Sequence, residues 1–513
     1  MSSSPFPNFG VSLAFLQAFL RDPRMARPMA FLLRPDLDDA QLEQMDLPAL
    51  RALAKEARTH SDLDGEKEFE RYADPAVPRQ AWLEALRRPP TTTTQVNVCI
   101  IKPATLALGG SYAATVLAGA RDPSSGEPFV GTPSDFVSHA WSCCFADLVA
   151  ALAAEDERRA SAGTRYFWND IFVEDQNSAG TKPDGYFFSA FRLAVEAIGR
   201  TVLVLQPLRA AIPLSRSWCI WEIFCTVSSR TGCELVVALP PSEKAEFERV
   251  LLGAGGVDEL TSYVVAVDAR NGKAFKQRDK EEIDRTIVTE LGAAGFSTVN
   301  GAICAGLRAW LQQAAMELAT GGGTGESDPL TTKAAKWALA GLLLYRQGKL
   351  AEAEPLCRRA LEARERTLGA DHADTLTSVN NLAMMLKDEG KFAEAEPLSR
   401  RALEARERTL GPDHADTLSS VSNLALLLQA QGKLAEAEPL CRRALEAQER
   451  TLGADHANTL NASGNLGLLL LKSSESERVG RELVMKALAS LRSPPHSLPE
   501  GHPWIKKFSG ALE

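Results

Sequence analysis

Glu222 is the residue whose type and setting most invite chemistry in this 513-residue chain. It closes the phrase Ser215-Arg216-Ser217-Trp218-Cys219-Ile220-Trp221-Glu222, and Ile223 and Phe224 continue a run that reads as the start of a helix. The helix macrodipole favours a carboxylate in these opening turns whether or not it does chemistry. At about 100° per residue, Ile220, Phe224 and Val227 form a stripe expected to face a sheet, while Glu222 shares the opposite side with Trp218, Cys225 and Thr226. Trp218, four residues earlier, is then placed to wall the carboxylate with apolar surface and raise its pKa, or to stack on a base.

Other candidates carry less. Ser138 and His139 are adjacent at a strand end, so their side chains point to opposite faces and a nucleophile–base pair does not follow. A structural histidine is the simpler reading. Asp170, Glu174 and Asp175 form an acidic cluster that reads as a solvated loop, with cation binding the alternative. Cys143-Cys144 lacks metal-ligand spacing, so no metal site is expected. Neither the phosphate-binding P-loop pattern nor the dinucleotide glycine fingerprint occurs.

A formal net charge of -9 supplies no electrostatic footprint for nucleic acid or an anionic membrane. The nine cysteines include no C-x-x-C pair and do not resemble a secreted disulfide framework, which points to a reducing, cytoplasmic setting. Met1–Gly10 has no basic segment, Val11–Leu20 reads as a short amphipathic helix, and no apolar run reaches the roughly 20 residues that span a bilayer.

The elements that would position Glu222 lie between residues 134 and 316. Short β-rich runs at Phe136–Ser138, Tyr166–Trp168, Thr201–Leu205, Glu234–Leu239 and Val264–Val267 alternate with helical patterns. Such alternation predicts an α/β doubly wound parallel sheet covered on both faces. Residues 1–95 read as a small helical N-terminal region, with helices at Asp38–Met45, from Asp46 with Pro48 in its first turn, and at Gln80–Arg88. Residues 96–133 read as a connecting segment in which Val96–Ile101 adds an edge strand. A Gly-rich linker at 317–331 follows.

The rest of the chain repeats itself. Gly348-Lys349, Gly390-Lys391 and Gly432-Lys433 are spaced by 42 residues (390 − 348 and 432 − 390), as are Pro355, Pro397 and Pro439. Each unit reads as two helices broken at the glycine, and such hairpins must stack to bury their apolar stripes, predicting an all-α solenoid over 332–495. The array has three clear units and a degenerate fourth, in which Ser473-Ser474-Glu475 replaces the Gly-Lys turn; a tail at 496–513 follows. Asn381, Asn423 and Asn465 recur at the same spacing on first helices, where the first unit has Leu339. Carboxamides both donate and accept hydrogen bonds, which suits the backbone of an extended peptide. The Arg358-Arg359, Arg400-Arg401 and Arg442-Arg443 pairs are expected to meet glutamates on exposed faces, and His372, His414 and His456 to be structural.

The phrase Gln-Gly-Lys-Leu-Ala-Glu-Ala-Glu-Pro-Leu with Arg-Arg-Ala-Leu-Glu closely resembles the tetratricopeptide repeats (TPR) of kinesin light chains, over about a third of the chain. That resemblance implies protein or peptide partners on a concave face lined by Asn381, Asn423 and Asn465. Asp135-Phe136-Val137-Ser138-His139 and the Trp218-Cys219-x-x-Glu222 core resemble TIR domains, which have a flavodoxin-like wound fold. The resemblance implies self-association into a homo-oligomer and, in enzymatic members, cleavage of the nicotinamide–ribose bond of NAD, with Glu222 catalytic and Trp218 and Ser138 lining the nucleotide. A fixed carboxylate would stabilise the oxocarbenium character that develops on the ribose. NAD would be substrate, and no cofactor is required. The loop Asp175–Gly185 departs from the family's usual loop. A non-enzymatic adaptor is the rival reading; a kinesin light chain would need an N-terminal heptad coiled coil, which the sequence lacks.

Overall fold

The computed structural model describes residues 7–58, 77–159, 163–178, 181–183, 185–229, 232–253, 256–265, 267–274, 277–320, 329–472, 477–492 and 503–512. Most of the Gly-rich linker (321–328) and Ser473-Ser474-Glu475 lie outside the described residues. The chain divides into two compact units, Met1–Leu251 with Gly255–Ala314, and Leu252–Ala254 with Ala315–Glu513.

Six strands form one sheet in the first unit: β1 (Gly10–Ser12), β2 (Val130–Gly131), β3 (Asp135–Ser138), β4 (Tyr166–Trp168), β5 (Arg200–Val204) and β6 (Glu234–Ala238), in the order β2-β1-β4-β3-β5-β6. The four strands β4-β3-β5-β6 are mutually parallel, in register Phe136↔Trp168, Phe136↔Thr201 and Val202↔Val236. Their spatial order, second-first-third-fourth, is that of flavodoxin-like wound sheets. The sheet as a whole is mixed rather than parallel, because β1 runs antiparallel to both β2 and β4. Gly10–Ser12 thus enters the sheet, and the helix expected over Val11–Leu20 begins at Leu13.

Val96–Ile101 is helical and not an edge strand: Thr93–Val96 leads into a π turn at Asn97–Ile101. Its β-branched composition is overridden by a reciprocal cap, in which Thr92 Oγ1 accepts the Gln95 amide and Gln95 Oε1 accepts the Thr92 amide. Val264 and Val265 likewise end a helix, Gly256–Val265. The helices expected over Asp38–Met45, after Asp46 and near Gln80–Arg88 are present as Asp39–Gln44, Leu47–Ala57 and Arg79–Leu86.

Both sheet faces are covered, because successive strand residues point to opposite sides. Val137, Val202 and Val204 share one core with α1 (Phe145–Arg159) and the N-terminal helices. On the other face Phe136 stacks on Trp168 at 4.9 Å between centroids, and Phe191 of α2 (Tyr186–Ile198) meets Trp168 edge-on at 5.4 Å. Helix α3 (Ser217–Val227) packs beside α2, against β3, β5 and β6. Where the parallel strands begin, Asp135 is fully buried and accepts hydrogen bonds from Arg165 (2.5 and 3.0 Å) and Arg200. Arg200 also reaches Glu155 and Glu234. This ionic knot stands at the sheet end opposite Ser138.

The second unit is a stack of helical hairpins: α4 (Leu330–Arg346) with α5 (Leu350–Leu368), α6 (Ala373–Asp388) with α7 (Phe392–Leu410), α8 (Ala415–Ala430) with α9 (Leu434–Leu452), and α10 (Ala457–Leu470) with α11 (Glu477–Arg492). The tail adds α12 (Pro503–Ser509). Gly348, Gly390 and Gly432 take φ of 77°, 76° and 77° at the hairpin turns, a left-handed conformation costly for other residues. One core runs through the stack, including Leu344, Leu382, Leu386, Leu424, Leu428 and Leu466; each such leucine contributes about 1.5–3 kcal/mol. His372, His414 and His456 cap the first helices, each Nδ1 accepting an amide two residues on at 3.2 Å. Arg364 and Arg406 fix the junction to the following first helix: Arg406 donates to the Asp416 carbonyl and Ser420 Oγ, and Arg364 to the Asp374 carbonyl and Ser378 Oγ.

Candidate functional site

Two places gather the residues singled out by sequence. In the repeat array, first helices of neighbouring units touch one another, α4 with α6, α6 with α8 and α8 with α10, so their shared side is the inner face of the solenoid. Asn381 is exposed there, Asn423 half-buried, and Asn465 buried at 7% exposure. Asn381 lines a small cleft of about 50 Å³ with Leu342, Tyr345, Met384 and Met385. Tyr345 Oη bonds Asp388, fixing the ring at the cleft edge. Leu342, Met384, Leu426 and Leu468 recur three residues after the asparagine position, each half-buried. Amide groups therefore alternate with apolar side chains along the inner face, a surface that can bond a peptide backbone and shelter its apolar side chains. Sequence reasoning found the asparagines but not the apolar row, although the same 42-residue offset marks it.

Five of the six paired arginines meet glutamates, as expected, Arg401 at Glu365 and Arg443 at Glu407 among them, whereas Arg359 lies over the Trp337 ring at 4.2 Å. Arg358 meets Glu354 and Glu394, Arg400 meets Glu396 and Glu436, and Arg442 meets Glu438. Asn465 differs from its counterparts, because its Oδ1 accepts Lys507 Nζ at 2.7 Å.

The second place is the carboxyl end of β3, where wound sheets bind ligands at the reversal of strand order. Ser138, fully buried, donates to Glu222 Oε2 at 2.6 Å. Glu222 therefore faces the sheet and is only 7% exposed, contrary to the outward side expected from the helical wheel. Nine residues of α3 are buried, so apolarity could not choose its orientation. The hydroxyls of Ser138 and Thr201 on the sheet do, matching Glu222 and Thr226; Thr226 Oγ1 lies 2.8 Å from Thr201 Oγ1. Trp218 does not wall Glu222. It packs on Phe188 at 4.8 Å and Phe191 at 5.6 Å, and Nε1 donates to Asp279 at 3.3 Å.

Burial raises the Glu222 carboxyl well above its ordinary range, with the Ser138 bond opposing and the charge of Asp170 adding to it. Asp170 is pushed up to about 7 by burial, against the Trp141 Nε1 bond (3.0 Å) and with help from Glu174. Glu174 is itself buried at 4% exposure and raised by burial, so it is not part of a solvated loop, whereas Asp175 is half-buried and held below its ordinary value by hydrogen bonds from Ser178 and Asn177. His139 is buried and lowered by burial to about 4, consistent with a structural role as a neutral ring. Among the described residues, Asp170 Oδ1, Glu174 Oε1, Asn169 Nδ2 and His139 Nε2 have no hydrogen-bond partner. No group of three or more His, Cys, Asp or Glu residues able to hold a metal ion occurs among the described residues. Sequence gave no signal for Asn169, which follows β4 and joins this polar end only through the fold.

The helical hairpins and their 42-residue period define the second unit as a repeat solenoid. Residues 375–416, and 333–386 with 417–479, match family models of the tetratricopeptide repeat. Among solved structures the chain is similar to a Podosopora anserina protein of nearly identical TPR-like repeats described as a kinesin light chain, with 20% identity over 42% of this chain and 94% of that one at a TM-score of 0.29. It is also similar to BtubC (BKLC) from P. vanneervenii, with 19% identity over 50% of this chain and 93% of that one at a TM-score of 0.32. No curated protein matches the chain. Residues 333–479 are thus tetratricopeptide repeats, the class of solenoid that serves protein–protein interaction. Among the described residues no helix is long and apolar enough to cross a membrane.

Proposed function

We propose that the chain is a scaffold whose repeats hold an extended peptide segment of a partner protein on their inner face, between the Asn381 and Asn423 amides and the Leu342, Met384 and Leu426 row. The observation that carries this is the exposed Asn381 beside the cleft formed with Tyr345 and Met384. The test is selection of binders from a random peptide library on the full chain. Selected peptides should lose at least about tenfold in affinity on Asn381→Ala plus Asn423→Ala, a change of about 1.4 kcal/mol. Unchanged affinity would remove the inner face from the account.

For the first unit we infer a second, separable activity from its resemblance to TIR domains: self-association, with NAD cleavage at Glu222 beside Ser138. In its favour stands the placement of both residues at the switch point of a wound sheet. Against it stand the burial of Glu222 and its bond to Ser138, so catalysis requires that this end of α3 open. Concentrated full-length protein should release nicotinamide from NAD, and Glu222→Gln should abolish it. Absence of release from the wild type leaves the non-enzymatic adaptor.

A further inference from the structure

We propose that α12 is a resident ligand of the repeat array, docked across α10 and α11 of the last unit and closing the inner face of that unit to outside peptides. This rests on the reading of the inner face as the peptide-binding surface. At the asparagine position Lys507 Nζ donates to Asn465 Oδ1 at 2.7 Å. At the apolar position Leu468, counterpart of Met384 and Leu426, packs against the cluster that contains Ile505 and Phe508, both with no exposed surface. Both features that the open units offer a peptide are thus engaged by the chain's own C-terminal segment.

The docking is specific to the last unit. A Cβ added at Gly464 would stand 2.2 Å from Phe508 Cζ, so the ring occupies the space a side chain there would fill. The same position is Asn380 in the second unit and Ser422 in the third (464 − 42 and 422 − 42), and neither leaves that space. Arg492 donates to Ser509 Oγ at 3.0 Å and pins the far end of the segment. A helix of seven residues does not hold itself in water, so its order depends on this seat, and release of the seat releases the helix. Opening would add the Asn465 and Leu468 rung to a groove that otherwise offers Asn381 and Asn423.

The experiment uses the full chain and a fluorescein-labelled peptide of residues 501–513. Phe508→Ala frees the seat while leaving Gly464 and Asn465 intact, so this variant should bind the peptide saturably and at least about tenfold more tightly than wild type. Adding Gly464→Ala to Phe508→Ala should abolish the gain. Hydrogen exchange on the wild type supplies a readout that needs no variant: amides of 503–509 should exchange faster than those of 457–470, and faster still with excess unlabelled peptide. Equal peptide binding by wild type and Phe508→Ala, or exchange of 503–509 in step with 457–470 as one cooperative unit, would make α12 a fixed structural cap and overturn the proposal. Because no outside partner enters the experiment, its failure is distinct from failure of peptide recognition at Asn381 and Asn423.

Discussion

Ser138 Oγ lies 2.6 Å from Glu222 Oε2, joining residues 84 positions apart at the carboxyl end of β3. The bond turns α3 so that its polar stripe, not its apolar one, meets the sheet. It also buries a carboxyl group whose ordinary pKa is 4.5 and is here raised well above that value, by burial first.

Glu222 and Asp170 therefore set a pH dependence of defined sign. Above the ordinary carboxylate range the unfolded chain gives up these protons while the folded chain keeps them, so their contribution to stability falls as pH rises. For Asp170 the fall runs from the ordinary 3.8 to about 7 and is complete beyond. Asp170→Asn keeps an acceptor for Trp141 and removes the titration. At pH 7.5 it should stabilise the first unit by about 1–3 kcal/mol, and at pH 4 the gain should nearly vanish. Thermal melts of wild type and variant at the two pH values check this; a gain that grows at pH 4 contradicts it.

Asp135 works in the opposite sense. Burial alone would raise its carboxyl, but bonds from Arg165 and Ser134 and the charges of Arg165 and Arg200 hold it below the ordinary 3.8. Its stabilisation is present above that value and is lost as pH falls through the lowered pKa. Asp135→Asn leaves two buried guanidinium groups short of charge and should cost about 3–5 kcal/mol near neutral pH. The measured quantity is the melting transition of the first unit, where wild type and variant should converge in acid. A loss that persists undiminished at pH 2 would place its cause elsewhere.

Arg406 spans three helices, donating to the Asp416 carbonyl, Ser420 Oγ and Thr377 Oγ1, each at 3.0 Å. Arg406→Met keeps the aliphatic stem and deletes these bonds. Destabilisation of the array by about 1–3 kcal/mol follows, and hydrogen exchange should quicken first in 415–430. Uniform exchange across all hairpins would show that the arginine does not govern that junction.

How much of this was legible in the chain depends on where the deciding contacts lie. The solenoid was, because Gly390, Pro397 and His414 act on neighbours within a few residues and recur at fixed spacing. The strands β3 to β6 were, because each is a short β-rich run with its own flanking helix. The orientation of α3 was not: Ile220, Phe224, Glu222 and Thr226 are all buried, and the choice among faces belongs to Ser138 and Thr201 on strands far away in sequence. The place of Gly10–Ser12 in the sheet was hidden for the same reason: Val11 is its one β-branched residue, and its partners on β2 and β4 lie far away in sequence. Asn465 looked like a third clamp residue because its own helix gives no hint of Lys507.

Hydrogen–deuterium exchange of the full chain, with and without a library-selected peptide, tests the central claim most directly. Protection should fall on α6 and α8, residues 373–388 and 415–430, and should disappear with Asn381→Ala plus Asn423→Ala. Protection on α5, α7 and α9 instead, or confined to the first unit, would contradict recognition on the inner face.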